Sequence, residues 1–303
     1  MKNKIKSLFI FTIILVFGFT MTACDSPPDI DMVWIEGGTF LMGSPESETE
    51  HMEEAWFNFE RPRRQITLSG FYMSKYLITQ EVYNKVMKIN PSFHTAANGQ
   101  VRALGETDAL RPVETVSWYE AIEFCNALSE MKGLKPFYII DKTYGSDVNN
   151  NMEHDIQKWL VTTDISANGY RLPTEAQWEY ACRAGSSTMW FFGDNADVIG
   201  EYAWFNGNEG DKTRQVGLKR PNPWGLFDIH GNVWEWCYDW YAPYTGDNLT
   251  DPTGPNSGIG RTSRGGAFMN ESQHMRSAIR GSFFPSSTMY NIGFRVVLPK
   301  AAL

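Results

Sequence analysis

The sequence predicts one mixed α+β domain that runs from about residue 31 to the C-terminus. Three short amphipathic helices, each preceded by a Ser or Thr in a capping position, fall before residue 184. After Arg183 the chain is rich in Gly, Asn and Trp, with short strand patterns, many turns and no long helical pattern. No internal repeat or interior linker divides the 303 residues, which favours a single domain.

Composition indicates a globular protein and argues against nucleic acid as a partner. Hydrophobic residues make up 42% of the chain, enough to bury a large core. The net charge is −8, so a polyanionic phosphate backbone would be repelled.

The N-terminus has the pattern of a targeting segment. Three lysines precede an apolar run from Leu8 to Phe19, which is shorter than the roughly 20 residues of a membrane span. The sequence Met-Thr-Ala-Cys ending at Cys24 resembles a bacterial lipobox, with cleavage before Cys24 and lipidation of its sulfur. We expect a lipoprotein signal peptide at 1–23, a tether at 24–30 and a lipid-anchored protein on the outer surface of the bacterial cell envelope. The alternative is an ordinary secretory signal with an incidental cysteine.

The first elements of the domain are predicted to be strands. Residues 32–43 match a hairpin with a turn at Gly37 and Gly38. Residues 65–76 alternate apolar and polar side chains, which is typical of half-buried strands.

Three helices follow, separated by loops. Thr79 is the predicted cap of the first, and Ser117 with Glu120 forms a capping box for the second. Residues 133–168 are predicted to be a small insertion with two short strands. Thr174 caps the third helix, on which Glu175, Glu179 and Arg183 are predicted to form a solvated, ion-paired face.

The C-terminal segment from Arg264 to Val297 has regular ends and an irregular middle. Arg264-Gly265-Gly266 predicts a strand that turns sharply, and 292–297 predicts a last strand. Residues 281–290 show no period, and two readings stay open for Phe283 and Phe284. They lie either in an exposed binding loop or tucked inward against the core.

Six motifs in this order resemble the formylglycine-generating-enzyme (sulfatase-modifying factor) family. They are the segments 37–43, 112–118, 171–181, 222–236, 264–266 and 293–295. The resemblance implies that residues 31–303 adopt a C-type-lectin-like fold with little regular secondary structure.

The resemblance also allows the enzymatic activity to be tested at single positions. Formylglycine-generating enzymes use a pair of cysteines after the Gly-Gly of the 264–266 motif to bind copper, which needs soft thiolate ligands. Those positions are Asn270 and Met275 in this chain. The His-rich cluster of the related iron-dependent sulfoxide synthases is also missing from the sequence. We therefore expect no catalytic cofactor and no enzymatic activity.

The remaining branch of the family that this sequence resembles is the variable proteins of diversity-generating retroelements. These proteins bind ligands with a C-terminal variable stretch, here 264–298, in which mutated adenine codons change the side chains. The resemblance implies that Arg264, Arg276, Arg280 and Arg295 belong to a fixed frame. The predicted ligand-binding positions are Asn270, Ser272, His274, Ile279, Gly281, Ser282, Phe283, Phe284, Ser287 and Tyr290.

One structural metal site is also implied by the resemblance. Asp228, Gly231, Val233 and Glu235 match a calcium site of the family, made of carboxylate and carbonyl oxygens. The alternative is that Glu235 is satisfied by an arginine or by backbone amides.

We therefore expect an envelope-displayed protein whose 264–297 surface binds an unidentified ligand, which we expect to be a protein. Two other hypotheses stay open. One is a sulfatase-modifying enzyme or maturation accessory with a different site, and the other is a calcium-dependent glycan-binding lectin.

Overall fold

The computed structural model describes residues 26–46, 48, 59–100, 103–209 and 211–302. Within them the strands are β1 Met32–Ile35, β2 Gly38–Met42, β3 Arg64–Leu68, β4 Phe71–Ser74, β5 Tyr138–Asp141, β6 Leu160–Thr163, β7 Trp234–Trp240, β8 Leu249–Thr250, β9 Arg261–Arg264, β10 Gly281–Phe283, β11 Ile292–Gly293 and β12 Val297–Pro299. The α-helices are α1 Gln80–Met87, α2 Trp118–Met131, α3 Glu175–Arg183 and α4 Asn206–Glu209. Short 3₁₀ helices lie at Ala96–Asn98, Asp108–Leu110, Ala196–Glu201, Ser272–Met275 and Lys300–Ala302. The predicted signal peptide and Cys24 lie outside the described residues.

The predicted hairpin at 32–43 is wrong in its pairing. Strand β1 pairs with β4 and β2 pairs with β3, so the two strands belong to different three-stranded sheets. The register runs on from Ile35 opposite Phe71 to Gly38 opposite Leu68. The segments 32–42 and 64–74 thus form one antiparallel ladder with a bend. Glycine is required at this bend, because a Cβ on Gly37 would lie 2.7 Å from the Leu68 carbonyl oxygen.

The predicted helix starts are confirmed by their capping contacts. The Thr79 hydroxyl accepts a hydrogen bond from the Val82 amide, and both halves of the capping boxes are formed at Ser117 and at Thr174. The predicted face of α2 is fully buried and consists of Ala121, Phe124, Cys125 and Leu128. These caps and buried faces anchor the helices against the sheets.

The C-terminal segment enters a four-stranded sheet of order β10-β9-β7-β11. Strand β9 pairs with β7 on one side and with β10 on the other, so the chain between β9 and β10 loops out of the sheet. The predicted last strand is interrupted. Strand β11 pairs with β7, whereas β12 pairs with β4 in the first sheet, and the segment therefore ties the two sheets together.

The insertion at 133–168 forms the two predicted strands. Strands β5 and β6 pair antiparallel, with Tyr138 opposite Thr163. Within the described residues no helix has the length and apolarity that crossing a bilayer requires.

Candidate functional site

The C-terminal segment is held in place by buried arginines. Arg264 is fully buried, and its Nη2 donates to the Glu179 carboxylate while its Nε lies 3.3 Å from Glu175 Oε1. Arg280 forms a bidentate ion pair with Glu175, in which Nε donates to Oε1 at 2.6 Å and Nη2 donates to Oε2 at 2.8 Å. Both glutamates lie on α3, so the segment is fastened to that helix by charge-assisted hydrogen bonds.

The other two frame arginines are buried in the same way. Arg276 donates to Glu48 at 2.6 Å and to Glu60 at 2.7 Å. Arg295 holds both oxygens of Glu235, at 2.6 Å and 2.9 Å. The four arginines predicted as fixed frame positions therefore all form buried ion pairs.

The prediction of a solvated face on α3 is wrong. Glu175, Glu179 and Arg183 are buried, although the predicted pair between Glu179 and Arg183 is present at 2.8 Å. Burial by itself raises the pKa of Glu175, but the charges of Arg280 and Arg264 outweigh it and bring this pKa below the usual value. Burial is likewise outweighed at Glu179, where Arg183 and Arg264 lower the pKa.

Large apolar side chains reach solvent between the buried arginines. Met269 is 40% exposed, and Phe284 and Tyr290 are each 43% exposed. The Tyr290 ring lies 5.7 Å from the ring of Phe93, which is also 43% exposed. The Met269 sulfur lies 3.3 Å from the side-chain amide of Asn291, the residue after Tyr290. We call Phe93 and Tyr290, whose rings are in contact, the apolar patch.

The apolar patch packs against buried aromatic rings. The buried ring of His94 lies 5.8 Å from Tyr290 and 5.1 Å from Phe268. Burial lowers the pKa of His94 to about 4, so its imidazole is neutral at physiological pH. The neutral ring of His94 adds no charge to the apolar patch and packs against the ring of Tyr290.

The predicted ligand-binding positions do not share one environment. Ser282, Phe284 and Tyr290 are exposed, and the partly buried positions are Asn270, Ser272, His274, Gly281, Phe283 and Ser287. Ile279 is 1% exposed and packs in the core, so the prediction that it lines the surface is wrong. A Cβ on Gly281 would lie 2.4 Å from the Ser263 hydroxyl, so a side chain at this position would require that hydroxyl to move. Phe283 packs inward, 6.1 Å from Trp236, while Phe284 points outward, so each alternative holds for one of the two residues.

Asn270 and Met275, the two positions that the resemblance aligns with the copper-binding cysteines, have structural contacts. The Asn270 side-chain oxygen accepts hydrogen bonds from the Ala267 amide at 3.0 Å and the Trp234 indole at 3.1 Å. Met275 is fully buried and packs with Trp190 in a small apolar cluster. An amide that is engaged twice and a thioether in an apolar cluster do not make a thiolate site.

The donors of the implied calcium site do not fit a calcium ion. The Glu235 carboxylate is occupied by Arg295, which already supplies the positive charge that an ion would bring. Asp228 accepts a hydrogen bond from the Gly217 amide at 2.7 Å, and burial raises its pKa to about 6. Gly231 and Val233 are buried as well. The alternative in which an arginine satisfies Glu235 is the arrangement found.

The sequence analysis did not identify Phe93 and His94 as part of this surface. Phe93 and His94 lie about 200 positions upstream of Tyr290 and belong to the loop after α1. Their only local signal is an exposed aromatic next to the predicted helix stop at Asn90-Pro91-Ser92. Pairing them with Tyr290 requires the fold, because no periodicity connects segments so far apart.

Comparison with known proteins decides the family. A profile described as "Sulfatase-modifying factor enzyme 1-like domain" matches residues 18–300. The chain belongs to this family. Its fold is the C-type-lectin-like fold of the formylglycine-generating-enzyme type, as the sequence motifs implied.

Three individual proteins are similar over most of the chain. The solved structure of variable protein 1 of Treponema denticola has a TM-score of 0.76 and 33% identity, and the match covers 88% of this chain and 94% of that one. The chaperone protein LppX of Paenibacillus barcinonensis is 34% identical over 288 residues, which is 89% of this chain and 90% of LppX. The formylglycine-generating enzyme of Mus musculus is 28% identical over 293 residues, which is 87% of this chain and 74% of that enzyme.

Proposed function

We propose that this chain is a non-enzymatic ligand-binding protein displayed at the bacterial cell envelope, with a diversified binding surface in residues 264–297. The observation that carries the proposal is the division of this segment into buried arginines and exposed apolar side chains. Each frame arginine is paired with a carboxylate, whereas Met269, Phe284 and Tyr290 face solvent. A surface that must change its side chains while keeping its backbone needs this division.

The neighbours support the binding function over the enzymatic one. The Treponema denticola protein is named a variable protein, and it shares 33% of its residues with this chain. The cysteine positions of the copper enzymes hold Asn270 and Met275, which are committed to other contacts. Rigid aromatics with small polar neighbours make contact surfaces at low entropic cost, which favours a protein ligand. The name of LppX supports an envelope location, with Cys24 as the proposed lipid attachment.

The test is to sequence the 3′ end of the gene across a population, together with the DNA beside it. We expect differences at codons for exposed positions such as 282, 284 and 290, opposite adenines in a nearby near-copy. The codons for Arg264, Arg276, Arg280 and Arg295 are the internal control and stay unchanged. An invariant 3′ end without a near-copy would contradict diversification. Stoichiometric, tight copper uptake by the purified protein would restore the enzymatic alternative.

A second candidate function is capture of unfolded chains, as a chaperone or maturation accessory. It is favoured by the 34% identity to a protein named a chaperone and by the exposed apolar patch. This function predicts that the protein suppresses heat aggregation of unrelated proteins and that Tyr290→Ser weakens the suppression. A diversified binder is not expected to suppress the aggregation of unrelated proteins. Each of its sequence variants should instead bind one specific ligand.

A further inference from the structure

A cavity of about 400 Å³ has no lining residue from the C-terminal segment Arg264 to Val297. Its walls come from the bend between β3 and β4, Phe137 just before β5, the end of β6 and the loop after it, and the start of α3. Tyr238 of β7, the loop at 251–253 and Pro299 of β12 complete the lining. Apolar lining is supplied by Phe137, Tyr238 and Ile165. Ligand sites for small molecules have volumes of about 300–1,000 Å³ and mostly apolar walls with a few polar groups. This cavity meets that description.

One cation lines this cavity. Nη1 of Arg171 donates to the Gln177 side-chain oxygen at 2.9 Å and to the Leu172 carbonyl at 3.3 Å. Its guanidinium lies 5.6 Å from the centre of the Phe137 ring. In the part of the chain that the structure describes, no carboxylate lies within 4.0 Å of it, and only Nη1 is engaged with protein acceptors. A guanidinium has five N–H donors, so most of its donor capacity is unused.

Five buried arginines in the described part of the chain are compensated. Arg264, Arg276, Arg280 and Arg295 each hold a carboxylate. Arg261 lies between two indoles, 3.7 Å from the ring centre of Trp118 and 3.6 Å from that of Trp240. Arg171 is partly buried and donates only to amide and carbonyl acceptors. Burial lowers its pKa, and the more distant charges of Asp239 and Asp251 offset this only in part. An anion in the cavity would supply the partner that the other arginines already have.

We propose that this cavity binds a small organic carboxylate that carries an apolar group. The carboxylate pairs with the free edge of the Arg171 guanidinium, a geometry that suits two parallel hydrogen bonds. The apolar group packs against Phe137 and Tyr238. The acidic residue of the lining, Asp251, is engaged with the amide and hydroxyl of Ser69 at 2.8 Å and 2.7 Å. It makes no direct contact with the Arg171 guanidinium, although its charge raises the pKa of Arg171 from a distance.

The test is calorimetric titration of the full chain with 3-phenylpropionate. Saturable binding is expected for the wild type, and Arg171→Met is expected to weaken it by about tenfold or more, since a bidentate charge pair is lost. Thr163→Trp fills the cavity without touching the arginine and is expected to abolish binding. The matched control is Thr162→Trp, because neighbouring strand residues face opposite sides and Thr162 is exposed and outside the lining. This control should bind as the wild type does.

Three outcomes would overturn the proposal. The first is no saturable heat with the wild type at millimolar ligand. The second is equal affinity for the neutral analogue 3-phenylpropanol, which would leave no function for the cation. The third is unchanged affinity in both Arg171→Met and Thr163→Trp, with thermal melts showing that both variants are folded.

Discussion

Two kinds of position alternate along the C-terminal segment, and they differ in what holds them. Arg264 and Arg280 are buried in ion pairs with α3, while Phe284 and Tyr290, only four and ten residues past Arg280, are each 43% exposed. The path of the backbone is thus determined by charges inside the protein and not by the side chains that the surface displays. Because the buried ion pairs hold the backbone, the exposed residues of a binding surface can change without a change in its shape.

The largest effect is expected from breaking one buried pair. Arg264→Met leaves the buried carboxylates of Glu179 and Glu175 less well paired, which should lower the free energy of unfolding by about 3–5 kcal/mol. Denaturant unfolding followed by fluorescence measures this. Arg220→Met is the control, because its pair with Glu201 has side chains 68% and 48% exposed and should contribute only about 0–1 kcal/mol. Equal losses in the two variants would show that the frame is not held by burial of charge.

A smaller difference is expected between two adjacent phenylalanines. Phe283→Ser removes a ring packed 6.4 Å from Trp234 and 6.1 Å from Trp236 and should lower the free energy of unfolding by about 2 kcal/mol or more. Phe284→Ser changes an exposed side chain and should stay within about 0.5 kcal/mol. Thermal or denaturant unfolding of both variants compares them directly. If Phe284→Ser were the more destabilising change, the exposed position would belong to the core and not to the binding surface.

Local features of the fold could be predicted from the sequence. The caps at Thr79, Ser117 and Thr174 were predicted at the right residues, because capping depends on side chains only three positions away. The pairing of β1 could not be predicted, since its partner β4 lies more than 35 residues on and the Gly-Gly bend looks like a hairpin turn. Short-range chemistry was thus more predictable than long-range pairing.

The candidate site shows the same limit. The four arginines that the resemblance places in the frame are all buried in ion pairs, but their partners Glu48, Glu60 and Glu175 lie up to 228 positions away and could not be identified from the sequence. At α3 the charges spaced by four residues looked like a solvated face, because helical spacing alone does not distinguish an exposed charge from one that is buried against a distant arginine. The residues that line the cavity at Arg171 come from seven separate stretches between Leu68 and Pro299, and no local pattern predicts it.

A moderate effect is expected from pH, with a sign that depends on the group. Burial and the charge of Glu175 raise the pKa of Asp239 from 3.8 to about 7, so its stabilising contribution is complete below about pH 4 and is lost as the pH rises through 7. Asp228 and Glu114 act in the same direction, since burial raises their pKa values to about 6 and about 7. The lowered pKa of Glu175 acts oppositely, because its contribution is lost as the pH falls below 4.5.

Stability should therefore be highest near pH 5 and fall towards pH 7.5. In Asp239→Asn the fall should shrink by on the order of 1 kcal/mol, while the side-chain oxygen still accepts the hydrogen bond of the Glu175 amide. Unfolding free energies at pH 5 and 7.5 for both proteins measure the change. An identical fall in the variant would show that Asp239 does not titrate in this range.

The smallest effect is expected from removing calcium, and it tests whether Arg295 belongs with the other frame arginines. Because Glu235 holds Arg295 through both oxygens, chelation should leave the melting temperature unchanged to within about 1 °C. Added calcium should also have no effect, since an ion would have to displace a buried guanidinium before it reached the carboxylate. A drop of several degrees that calcium reverses would mean that Glu235 exchanges its arginine for an ion. In that case the segment would be fastened by a metal at one end and by ion pairs at the other, and the surface it displays would depend on calcium.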